Sequence, residues 1–108
     1  MSMQWRMGLA AMVVLLAASG PGTAAAQTGL EIFTAKGCHA CHGPDGKKPI
    51  LPTYPKLAGQ SAPYLVLAMK AYRAQERKGE QAPAMWGMAA QLKDDEMQKI
   101  ADALSKVP

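Results

Sequence analysis

From Thr28 onward three helical segments can be read, the second and third from an apolar repeat, and they are separated by two stretches with no repeat at all. The first carries Leu30, Ile32 and Phe33. It is announced by Thr28 with Glu31 three residues later, the spacing at which the two side chains satisfy free amide groups at a helix start. A helix ending near Gly37 is predicted there. The second begins at Ser61, a good N-cap, with Pro63 in the first turn, where its missing N–H costs nothing. Leu65, Ala68, Met69 and Tyr72 then recur at i, i+3, i+4 and i+7 to make one apolar face, and Gly79 closes the segment. The third runs from about Asp94 to Lys106, with Met97, Ile100, Ala101 and Leu104 at the same spacing. Its acidic start, Asp94, Asp95 and Glu96, suits the positive end of a helix dipole. There is no internal repeat and no strand alternation, so the pattern predicts an all-α chain.

The aperiodic stretches are unusual for linkers. Residues 43–60 hold Pro44, Pro49, Pro52 and Pro55, four of the eight prolines, each fixing the backbone without offering a donor. Residues 79–92 read as a loop carrying Met85, Trp86 and Met88. Both are too apolar to be plain connectors, and a small domain with such loops calls for an apolar object for them to wrap.

The first 26 residues have a different character. Arg6 precedes an apolar run, Gly8 to Ala18, which breaks at Ser19 to Gly22 and leads to the small residues before Gln27. This is the order of a secretory signal peptide, with cleavage after Ala26. The alternative, a membrane anchor, needs about 20 apolar residues, more than the run supplies. Residues 1–26 are therefore read as a signal peptide and 27–108 as one domain, exported to the periplasm with no stable membrane insertion. A chain this short buries little core and usually needs a disulfide, a metal or a bound cofactor as a staple. The formal net charge is +4, to which Arg6 alone contributes within the leader. A mild lysine excess is by default a solvated surface, and more specifically a docking face for an acidic partner. Scattered basic residues without aromatic company argue against nucleic acid.

The chain has two cysteines, Cys38 and Cys41, with His42 immediately after the second. In an exported protein this is the attachment signature of a c-type haem, Cys38 and Cys41 forming thioethers with the porphyrin vinyl groups. His42 then falls under the iron as proximal ligand. One helical turn separates the thiols enough to reach two vinyls on one side of the ring. A thioredoxin-like dithiol would need a helix start after a strand, and no strand is predicted. Structural zinc would need four ligands, and only His39 and His42 could join the cysteines, all within five residues. His39, inside the motif, is expected to face solvent because adjacent positions on a turn point different ways.

Beyond that motif the chain resembles class I monohaem c-type cytochromes, in particular the short bacterial soluble branch, c-553/c5-like. The likeness rests on the haem motif with its following Gly43, Asp45 and Gly46, on Gly29 and Phe33, on Tyr54 to Gln60, and on Tyr64 to Arg73. It covers residues 29–106. The family's fold, which it implies here, is three main helices and loops around one covalently bound haem c. The family takes its sixth iron ligand from a methionine before the last helix. Aligning that loop places Met85, seven residues before Leu92, at the ligand position and Met88 beside it as core filling, though spacing alone leaves both as candidates. The resemblance also implies that the Pro55 carbonyl accepts a hydrogen bond from the other ring nitrogen of His42. By the same likeness Leu57 packs on the haem, and Tyr54, Arg73 or Trp86 meets the propionates or covers the haem edge.

Two positions depart from the family. Ala103 stands where an aromatic usually packs on the crossing glycine of the first helix, which predicts a poorly filled contact unless Met97 or a partner covers it. Lys93 replaces the usual Ser or Thr cap of the last helix, leaving Asp94 to serve.

A histidine and a thioether on one iron leave no open coordination position and favour the reduced metal. The expected protein is therefore no enzyme but a periplasmic one-electron carrier, meeting a dehydrogenase, an oxidase or another cytochrome. Lys47, Lys48 and Lys56 would steer small, salt-sensitive contacts. Alternatives are a cytochrome subunit held in a dehydrogenase or oxidase complex and, if Met85 does not bind iron, an open-site sensor or enzyme.

Overall fold

The computed structural model of the protein describes residues 28–108; the leader expected over residues 1–26 lies outside the described residues. Five helices form among them, α1 (Gly29–Ala35), α2 (His39–His42), α3 (Ala62–Arg73), α4 (Ala82–Ala90) and α5 (Asp94–Ser105), and no strand. Helix α5 packs against both α1 and α3, and α4 packs against α3. Their shared core is Ile32 and Phe33 of α1, Leu65 of α3, Leu92, and Met97, Ile100, Ala101 and Leu104 of α5. All four periodic residues of α5 are buried, so its apolar stripe is spent inside the protein.

Helix α1 starts as its residues demand, the Thr28 hydroxyl accepting from the Glu31 amide at 3.2 Å. It stops because Gly37 takes a φ of +83°. The Gly37 amide then reaches the Thr34 carbonyl and the Cys38 amide the Phe33 carbonyl, both at 3.0 Å, the paired bonds of a Schellman ending. Helix α3 is capped by Ser61 as expected. It ends at Arg73, however, not at Gly79. The same ending is built on Gln75, at φ +59°, with Gln75 bonded to Tyr72 and Glu76 to Ala71. A left-handed glutamine carries no mark in the sequence, since glycine is the residue that takes this conformation freely.

Residues 79–92 are not a loop, as read from their pattern, but mostly helix. Ala82, Ala84, Ala89 and Ala90 have the highest helix propensity, and Pro83 sits in the first turn where proline fits. The segment is apolar nearly all round, so no amphipathic stripe announces it.

The start of α5 also differs from expectation. Lys93 is the N-cap residue and Asp94 the first helical one. A lysine has no acceptor with which to cap. Glu96 closes the end from inside the helix, its carboxylate accepting from the Lys93 amide at 3.0 Å. Nor does Ala103 leave a gap. A methyl added at Gly29 would run into the Lys99 carbonyl and come within 2.7 Å of the Ala103 Cβ, so α1 and α5 fill the contact by approaching each other closely. Met97 is fully buried in the core they share.

Candidate functional site

The ending of α1 aims the chain straight into the cysteine motif. Cys38 leads into the single turn of α2, where the His42 amide bonds to the Cys38 carbonyl at 3.1 Å and the Gly43 amide to the His39 carbonyl at 3.0 Å. That turn brings Cys38, Cys41 and His42 to one wall of a cavity of about 370 Å³, a size in the range of cofactor sites. The proline-rich segment folds back over α2, the Ile50 amide bonding to the Cys41 carbonyl at 3.0 Å. It contributes Tyr54, Pro55 and Leu57 to the same cavity.

His42 is 5% exposed. Its Nδ1 lies 3.0 Å from the Pro55 carbonyl oxygen, which can only accept, so Nδ1 carries the proton and Nε2 keeps its lone pair. Burial pushes the imidazole below its ordinary pKa, and the Pro55 bond opposes that only in part. A neutral ring, oriented through one nitrogen and basic at the other, is the form in which histidine binds a metal. Tyr54 stands beside it, ring centroids 6.4 Å apart and planes at 47°. Burial, more than any other cause, pushes the Cys38 thiol up, the opposite of the shift that activates a redox or nucleophilic cysteine.

Both methionines of α4 line the cavity. The Met88 sulfur accepts a weak bond from the Gln91 amide group at 3.8 Å, and its methyl lies close to Gly37. From α3 come Leu65, Ala68, Met69 and Tyr72, the predicted apolar face. Only Leu65 of these is buried by protein. The others are half-buried against the cavity, so this helix has an apolar stripe that the polypeptide alone does not cover. An imidazole nitrogen, a thioether, two thiols and a largely apolar wall make a donor set that fits a haem attached through sulfur.

Three expectations fall away. Arg73 does not line the cavity: its guanidinium donates to the Leu92 carbonyl at 3.1 Å and to the Asp94 carboxylate at 2.6 Å, which ties α3 to α5. Trp86 is turned away as well, its indole donating to the Arg77 carbonyl at 2.8 Å. His39, expected to face solvent, is half-buried, and its Nδ1 is enclosed without a hydrogen-bond partner among the described residues. Lys47, Lys48 and Lys56 are exposed and stand outside the cavity lining. In place of Arg73 and Trp86 the cavity mouth holds Thr53, Arg77, Lys78 and Gln81, with Gln81 donating to the Thr53 hydroxyl at 2.9 Å across the two segments. No motif marks these four residues, and a helix continued to Gly79 would have kept Arg77 and Lys78 within α3.

A fold of short helices around a cavity that gathers a Cys-x-x-Cys-His turn and a methionine defines a c-type cytochrome. The Cytochrome c family model matches residues 26–107, and the chain belongs to that family. It is 50% identical over 64 residues to cytochrome c-554(548) of Halomonas halodenitrificans, covering 59% of this chain and 76% of that protein. Identity to cytochrome c-553 of Nitratidesulfovibrio vulgaris is 32% over 90 residues, 83% of this chain and 86% of the relative. A Stutzerimonas stutzeri protein named thiosulfate dehydrogenase electron acceptor is 37% identical over 91 residues, but the chain spans only 42% of its length. The protein is thus a class I c-type cytochrome whose cofactor is haem c. Electron transfer with redox partners is the family's work, and bacterial members are generally exported. No helix among the described residues is long and apolar enough to cross a membrane.

Proposed function

We propose that this chain, cleaved after Ala26 and exported to the periplasm, is a one-electron carrier in which His42 and Met85 would hold the haem iron and Cys38 and Cys41 would form the thioether bonds. The observation that carries the reading is that His42, oriented by Pro55 and kept neutral by burial, shares one cavity with Met85 and both cysteines. When bound, the haem supplies reversible one-electron chemistry at its iron. The protein's part is to fix the imidazole through Nδ1, to offer a thioether from a helix already tied to the fold, and to give the cavity an apolar lining with Phe33, Leu65 and Leu57. Between the methionines, Met85 is favoured because the Met88 sulfur is engaged by Gln91 and its methyl packs beside Gly37.

The testing experiment is an optical spectrum of the exported protein, oxidised and reduced, with and without carbon monoxide. A low-spin spectrum with the far-red sulfur-to-iron band and no response to the gas is expected. A high-spin spectrum that shifts on gas binding would mean an open iron and would turn the search to sensing or catalysis. The Stutzerimonas relative is named as the electron acceptor of a thiosulfate dehydrogenase, which is compatible with a second reading, a cytochrome subunit stably bound to a periplasmic dehydrogenase or oxidase. Purification in high salt separates the two, since a free carrier comes away alone.

A further inference from the structure

The mouth of the cavity shows where the cofactor's own charge is met. A haem carries two carboxylates on the edge of the ring away from its vinyl groups, so a chain that holds the vinyls at Cys38 and Cys41 must receive two anions elsewhere. Among the described residues lining the cavity, positive side chains come from one place, Arg77 and Lys78, with Glu80 just beyond as the single carboxylate. Arg77 is both exposed and a cavity residue, which puts it at the solvent-facing mouth. It is held there twice. Its guanidinium carbon lies 4.6 Å from the centroid of the Tyr72 ring, another lining residue, and its carbonyl accepts the Trp86 indole N–H at 2.8 Å. A planar guanidinium stacked on an aromatic ring is pre-organised for two-toothed binding of a carboxylate. Arg73, the other arginine of this region, is already spent on Leu92 and Asp94.

Resting on the haem reading above, we propose that Arg77, backed by Lys78, pairs with a haem propionate and is a positioning residue for the cofactor, with Tyr72 and Trp86 holding the segment in place. The pairing neutralises a carboxylate whose charge would otherwise favour the oxidised iron. Arg77 therefore raises the reduction potential as well as orienting the ring edge.

The test compares the holoprotein with Arg77→Gln, Arg77→Lys and, as a charge control at an exposed residue outside the cavity lining, Lys106→Gln. Two quantities are read: the resonance Raman bending mode of the propionates and the reduction potential by voltammetry. Arg77→Gln is expected to shift the propionate mode and lower the potential, Arg77→Lys to recover part of both, and Lys106→Gln to leave the mode in place. A propionate mode in Arg77→Gln no further from the parent than that of Lys106→Gln overturns the proposal. Should Arg77→Gln yield no holoprotein, Arg77→Lys decides alone, because a lysine cannot reproduce the two-toothed contact and an unshifted mode would then refute it. The far-red sulfur-to-iron band separates this from the axial reading. Its absence in the parent protein sinks Met85 as ligand, while the propionate mode, which belongs to the porphyrin edge, still reports on Arg77.

Discussion

Met85 and Met88 both line the cavity, and the proposed carrier rests on one of their thioethers binding the iron. Met85→Ala is expected to abolish the far-red band and lower the potential, and Met88→Ala to keep the band; the reverse pair of spectra would move the sixth ligand to Met88. A second prediction concerns the backbone. Gln75 holds the left-handed position that ends α3, which costs a side-chain-bearing residue about 1 kcal/mol relative to glycine. Gln75→Gly should therefore stabilise the holoprotein by about 1 kcal/mol, seen as a higher guanidinium midpoint at unchanged slope. The corresponding position of α1 is already glycine, Gly37. That contrast explains why one helix end was legible and the closing residue of the other was placed four positions late, at Gly79 instead of Gln75.

Helices α3 and α5 were readable from their 3.6-residue apolar repeats, joined in α3 to the Ser61 cap, and α1 from the Thr28 and Glu31 spacing at its start. Helix α4 was not, since its alanines and methionines show no polar face against which a repeat could be seen. The α1 and α5 crossing carries its own prediction. Gly29→Ala drives a methyl into the Lys99 backbone carbonyl, which has no side-chain freedom with which to yield. Overpacking of this kind costs about 1 to 3 kcal/mol. A midpoint unchanged by the substitution would show that the helices can slide apart. The family's usual aromatic is not missed at Ala103, because two small residues let the backbones meet.

Across the whole molecule the ion pair of Arg73 with Asp94 joins the end of α3 to the start of α5 and, through the Leu92 carbonyl, to the residue between α4 and α5. The Arg73 hydrogen bond first, and its charge second, hold the Asp94 carboxyl below its ordinary pKa. In acid the unfolded chain takes up that proton before the folded one, so the unfolded state binds more protons and stability falls with pH. The contribution is complete above an ordinary aspartate pKa of about 4 and is lost as the pH drops through the folded value. Asp94→Asn should thus separate from the parent protein in denaturation midpoint near neutrality and converge with it in acid. Added salt should narrow the gap as well, because Asp94 is open to solvent.

The cysteine motif, the periodic faces of three helices and the choice of cofactor could all be read in the linear chain, because each depends on residue types at short, fixed spacings. The identity of the groups at the cavity mouth could not. The family likeness offered Arg73 and Trp86 and not Arg77, whereas in the fold Arg73 pairs with Asp94, Trp86 donates to the Arg77 carbonyl, and Arg77, beyond the early end of α3, stacks on Tyr72 at the mouth. Long side chains take their partners from what the folded backbone brings near, and over separations such as that of Arg73 from Leu92 no local pattern carries that information.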